Sequence, residues 1–100
     1  MDLTGRQRRH LRSLAHHLQP VVTVGKEGVT DAVLAKLDVE LEDRELLKVK
    51  IGQNAPEAVK DTAAALAAGS GAAVAQVIGR IAVLYRKAKE DPQIQLPKAN

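Results

Sequence analysis

The chain contains no cysteine, which excludes disulfides, thiolate metal sites and a cysteine nucleophile, and is compatible with a reducing compartment. Tyr85 is its only aromatic residue. That argues against recognition by rows of stacked bases, as on RRM sheets or in OB and cold-shock folds, and leaves a core of Leu, Val, Ile and Ala. No apolar run approaches the roughly 18 residues of a membrane span. Arg6, Arg8 and Arg9 near the N-terminus are not followed by a signal-peptide-like hydrophobic region. The expectation is a soluble, cytoplasmic protein without a membrane partner.

What is present is charge, unevenly placed. The net charge is +3 over 100 residues. Residues 1–30 carry net +3, residues 31–45 net −4 and residues 46–100 net +4. Basic ends around an acidic middle describe a polar molecule with one face suited to a polyanion, or an ordinary solvated surface.

Thr4 with Gln7 three residues on is a capping box, and Leu11, Leu14, Ala15 and Leu18 carry the spacing of an amphipathic helix over 5–18. At about 100° per residue, Arg8, Arg12 and His16 form a ridge beside the apolar stripe, with Arg9 opposite. His10, His16 and His17 lack the convergence that a metal site requires. Gln19-Pro20 ends the helix. Val21–Val24 reads as a strand, apolar on both faces and hence expected to be central in its sheet.

Gly25-Lys26-Glu27-Gly28 then sits at a strand-to-helix corner. Two readings stand: a bland tight turn, or a loop whose backbone N–H groups, beside a helix N-terminus, hold a phosphate. A GxxG loop clamps nucleotide backbone in RNA-binding modules such as KH domains. Thr30 caps a helix over 31–42, with Val33, Leu34, Leu37 and Leu41 as its buried stripe. Asp38, Glu40, Glu42 and Asp43 lie toward its C-terminal end, where they oppose the helix dipole with no benefit visible in the sequence.

In 45–51, Leu47, Val49 and Ile51 alternate with Leu46, Lys48 and Lys50, so one strand face is core and the other wet and basic. A helix over 56–68 follows, ended by Gly69-Ser70-Gly71. Strands over 72–78 and 81–86 are joined by Gly79-Arg80 as a type II′ hairpin. From Lys87 the chain reads as loose or extended. The domain is expected over 1–90, with a polar tail over 91–100. The order α-β-α-β-α-β-β implies an α+β fold in which a mixed four-stranded sheet packs with three helices.

The chain closely resembles the YhbY-like proteins, the stand-alone bacterial form of the CRM (chloroplast RNA splicing and ribosome maturation) domain. The resemblance lies in LTGRQRRHLRSLAHHLQPVVTVGKEGVTDAVLAKLDVELEDRELLKVKI at 3–51, QVIGRIAVLYR at 76–86 and IQLPK at 94–98, and is weakest over 52–72. It implies a fold related to the C-terminal domain of bacterial initiation factor three. It also implies RNA binding through the GxxG loop, here Gly25, Lys26, Glu27 and Gly28, and through neighbouring basic surfaces. In bacteria the implied partner is a precursor of the large ribosomal subunit; multi-domain plant relatives promote group II intron splicing. Glu27 departs from a basic or neutral loop and shifts the burden onto Lys26 and the backbone.

On this reading Lys48, Lys50 and Arg86 share a sheet face and, with Lys26, Arg8 and Arg12, form a basic track for RNA backbone. The alternative is that the first helix covers part of this face and the lysines only snorkel. The expected function is non-catalytic RNA binding in large-subunit assembly, without cofactor or metal, by a protein favoured to be monomeric. The competing functions are a general RNA chaperone or translation-associated factor, an enzyme, and a protein-interaction module docking through Asp38, Glu40 and Glu42. Ser13 and Ser70 have no neighbouring His–Asp arrangement in sequence that would favour the enzyme.

Overall fold

The computed structural model describes residues 2–98. Its elements follow the order α1 (Gly5–Ala15), β1 (Pro20–Val24), α2 (Asp31–Arg44), β2 (Leu46–Ile51), α3 (Val59–Ser70), β3 (Ala73–Ile78) and β4 (Ile81–Tyr85). The fold is α+β, with three helices and one mixed four-stranded sheet.

Local chemistry sets most boundaries. The Thr4 hydroxyl accepts the Gln7 N–H at 3.1 Å while the Gln7 side-chain oxygen accepts the Thr4 N–H at 3.0 Å, completing the capping box. Thr30 accepts the Val33 N–H at 3.1 Å and opens α2. α1 stops at Ala15, earlier than its apolar spacing implied, because His16 and His17 form a turn that feeds Pro20. α3 begins at Val59 rather than near Pro56. Gly79 has φ +55 while Arg80 stays out of the positive-φ region, as a type II′ turn between Ile78 and Ile81 requires.

The sheet order is β1-β2-β4-β3. β1 and β2 are parallel, and β4 pairs antiparallel with both β2 and β3. The α3 crossover thus connects two strands of like direction with the last strand inserted between them. β1 is an edge strand, which corrects the expectation that its apolar character made it central. Val22 and Val24 are buried on one face, but Thr23 is exposed, the chain enters through Pro20, and the register shifts at Val21. Proline and a bulge suit an edge.

Both sheet faces are covered. One carries Val22, Val24, Leu47, Val49, Ile51, Ala82 and Leu84 against Leu37 and Leu41 of α2 and Ala63 and Leu66 of α3. The other carries Leu46, Ala73, Ala75, Val83 and Tyr85 against Leu11 and Ala15 of α1. Ile94 and Leu96 pack on this second cluster, and the Gln7 side chain donates to the Pro97 carbonyl at 3.0 Å. The segment 88–98 is therefore a strap laid on the domain; buried Ala88 and half-buried Ile94 and Leu96 supply the burial that the polar composition concealed.

Candidate nucleic-acid interface

At the C-terminal end of β1 the Gly28 N–H donates to the Gly25 carbonyl at 3.0 Å and closes a four-residue turn. Lys26 and Glu27 occupy its exposed centre. The two glycines differ. Gly28 has φ +73, and a Cβ there would meet Pro56 Cγ at 3.1 Å, so the fold itself requires glycine. A Cβ on Gly25 would meet nothing within 4 Å, and its φ lies outside the left-handed region. Folding does not explain Gly25; it leaves a bare stretch of backbone beside Lys26.

The helix N-terminus beyond the turn is a weaker anion cradle than the sequence implied. Thr30 already takes the Val33 N–H, and Asp31 puts a carboxylate in the first turn. Positive charge at this corner rests on Lys26.

Strand register extends the surface from the loop. Thr23 of β1 pairs with Lys50 of β2, Lys50 with Ile81 of β4, and Ile81 with Ile78 of β3. These four residues form a row across the sheet on the α1 side, beyond the cover of α1. Lys50 is exposed and Lys48 half-buried. Lys48 leans on α1, its Nζ 3.5 Å from the His16 carbonyl oxygen, at the outer limit of a hydrogen bond. The snorkelling alternative thus describes Lys48 in part and Lys50 not at all. Arg8 and Arg12 are exposed on the α1 flank. A cleft of about 580 Å³ separates α1 from the strands, lined by Arg12, Ser13, Ala15, His16, Lys48, Gln76 and Ile78.

Arg86 is not on this surface, which corrects its assignment to the basic track. It follows Tyr85 with opposite pleat, and its side chain is only 15 % exposed, on the α2–α3 side. Its guanidinium donates to the Asp38 carboxylate at 2.7 Å, the Ser70 carbonyl at 2.9 Å and the Asp38 carbonyl at 3.0 Å. Side-chain alternation along 81–86 already separated Arg86 from Val83 and Tyr85; the error lay in placing Lys48 and Lys50 on its side.

The acidic cluster has structural work that sequence reasoning missed. The Glu42 carboxylate accepts the Lys89 N–H at 3.0 Å and the Glu90 N–H at 3.2 Å. Glu45, 2 % exposed, accepts the Ala88, Gln93 and Ile94 N–H groups at 2.9, 2.7 and 3.0 Å. Arg44 pairs with Glu40 at 2.6 Å. Burial pushes the Glu45 carboxyl up, but its backbone donors and Lys87 outweigh that and hold it below the ordinary range. The Arg86 hydrogen bond and charge lower Asp38, and the Lys89 and Glu90 amides lower Glu42. Among the described residues, Arg8, Arg12, Lys26, Lys48 and Lys50 make no carboxylate ion pair.

Residues 3–86 match the CRS1/YhbY (CRM) domain model. The chain is 50% identical over 95 residues to the Bacillus subtilis protein named "Probable RNA-binding protein YqeI", covering 95% of this chain and 99% of that one. It is 42% identical over 96 residues to a Haemophilus influenzae protein named "RNA-binding protein", covering 96% of each. The fold is similar to the solution structure of a Staphylococcus aureus protein described as a candidate RNA-binding protein. That match has a TM-score of 0.82 at 42% identity and covers 96% of this chain and 100% of that one.

Proposed function

The chain belongs to the CRS1/YhbY (CRM) domain family, and on that premise we propose that it is a non-catalytic RNA-binding protein that associates with precursors of the large ribosomal subunit and assists their assembly. One observation carries the contact: among the described residues, Lys26, Lys50, Lys48, Arg12 and Arg8 stand without carboxylate partners around the bare Gly25 turn and the α1 flank. Asp38, Glu42 and Glu45 are engaged near the far end of α2. From Thr30 to Glu42 the helix rises about 18 Å. A polyanion meeting the loop end of the sheet therefore meets cations with their charge unspent.

The mechanism is backbone and shape recognition. Gly25 admits the RNA backbone closely, while Lys26, Lys48 and Lys50 contact phosphates along the sheet and Arg8 and Arg12 along the helix. Tyr85, the single aromatic, is 2 % exposed and leaves no aromatic stacking platform. The choice of large-subunit precursors as the target rests on the family resemblance; the geometry supports RNA backbone generally.

Sedimentation of the native protein in a sucrose gradient of cell lysate, at low and high salt, tests the proposal. The expected result is co-migration with large-subunit precursors that is lost as salt rises. Migration only with mature subunits or polysomes assigns the protein to translation or general RNA chaperoning. Migration only at the top of the gradient in low salt contradicts the assembly role.

A further inference from the structure

The cationic surface ends in a feature that phosphate contacts do not explain. Ile78 is 53 % exposed on edge strand β3, facing the same side as Lys48 and Lys50. It pairs across the hairpin with half-buried Ile81, and Gln76, two residues earlier on the same face, pairs with Val83. Gln76 and Ile78 of β3 line the cleft together with Arg12 and Ser13 of α1, His16 just past it, and Lys48 of β2. Its volume of about 580 Å³ falls within the roughly 300–1,000 Å³ of small-molecule pockets.

We propose that this cleft takes one unpaired nucleotide of the bound RNA, and so makes the protein prefer RNA in which a base is free of its helix. The idea rests on the RNA-binding reading above and adds a base subsite to it. The chemistry fits a nucleotide part by part. The Lys48 ammonium and Arg12 guanidinium suit its phosphate. The Ile78 side chain, 53 % exposed, offers an apolar wall for a base face. The Gln76 amide presents both a donor and an acceptor to a base edge. The occupant is a nucleotide rather than an apolar protein segment because cations and an amide line the cleft beside the isoleucine. The row Ile78, Ile81, Lys50, Thr23 also runs unbroken to the Gly25 turn, so one strand of RNA reaches both ends. Spacing between strands of about 4.8 Å makes that row about 14 Å long.

The test uses the full chain and two synthetic RNA hairpins, one fully paired and one carrying a single extruded 2-aminopurine nucleotide. Affinity is read by fluorescence anisotropy, with the 2-aminopurine emission reporting the base environment. The native protein is expected to bind the extruded form about five- to tenfold more tightly, a span consistent with burial of one base. Binding should also change the 2-aminopurine emission. The Gln76→Ala/Ile78→Ala variant alters two side chains outside the closed core; it is expected to lose that preference and keep the native affinity for the paired hairpin. Two results overturn the base subsite alone: native protein that binds both hairpins equally, or a double variant that keeps the preference. A double variant that treats both RNAs as the native protein does but no longer co-sediments with ribosomal particles reassigns the patch to a protein contact. Binding to neither hairpin contradicts the RNA-binding reading itself, so the two failures are distinct.

Discussion

Gly25 and Gly28 bound one turn for different reasons, and single substitutions separate them. Gly28→Ala forces a side chain onto φ +73 and toward Pro56. It is expected to cost about 1–2 kcal/mol in urea unfolding. Gly25→Ala places its methyl in open space and is expected to change stability by less than about 0.5 kcal/mol. Its effect should appear in RNA affinity, as a several-fold loss, because the methyl stands where the backbone is bare. Equal stability and equal RNA affinity for Gly25→Ala would remove the close-approach role. The sequence displayed the GxxG pattern but not this division, which depends on Pro56 arriving from beyond β2. The placement of Arg86 was partly legible: its pleat was, whereas its partners, Asp38 and Ser70, come from two different helices. Arg86→Ala is expected to destabilise the fold by about 2 kcal/mol and leave the proposed RNA-binding surface intact. Thermal unfolding and RNA titration of the one variant check both halves.

At the scale of elements, the strap after Lys87 depends on two carboxylates that lie more than 40 residues earlier. Glu45 sits just past α2 at φ +65, a conformation that costs a non-glycine residue about 1–3 kcal/mol, and the Glu45 carboxylate ties down three strap amides. Glu45→Gln replaces one acceptor oxygen by a donor facing N–H groups. It is expected to cost about 2–3 kcal/mol at pH 7. Because the folded carboxyl titrates below its ordinary value near 4.5, its contribution is complete above that pH and is lost as pH falls through the folded value. The gap between Glu45→Gln and the native protein should therefore narrow below about pH 4.5, and Ala88, Gln93 and Ile94 amides should lose exchange protection together. A gap that stays constant to pH 3 would contradict the linkage. Helix and strand existence was legible from caps and periodicity, since Thr4, Thr30 and the alternation in 45–51 act locally. The strap and the edge position of β1 were not. An acidic run beside a polar tail reads as solvated until the fold brings carboxylate and amide together, and strand order depends on crossovers that local pattern does not encode.

At the scale of the molecule, charge is sorted along α2. Asp38, Glu40, Glu42 and Glu45 toward its C-terminal end are engaged with Arg86, Arg44 and the strap, while among the described residues the cations around the loop and the α1 flank make no carboxylate ion pair. The net charge of +3 understates the field that a polyanion meets at the loop end. The sequence revealed the separation of sign in its blocks; it did not reveal that Asp38, Glu42 and Glu45 within the acidic block hold Arg86 and the strap. In the proposed complex Lys50, exposed on the α1 side of the sheet, and half-buried Lys48 at the margin of α1 contact RNA phosphates. The most direct measurement is the salt dependence of affinity for a structured ribosomal RNA fragment, compared between the native protein and a folded Lys48→Glu/Lys50→Glu variant. The variant is expected to bind more weakly and to show a shallower slope of log affinity against log salt, by about 1.5–2, from two lost phosphate contacts. Native affinity and native slope in the variant would contradict it.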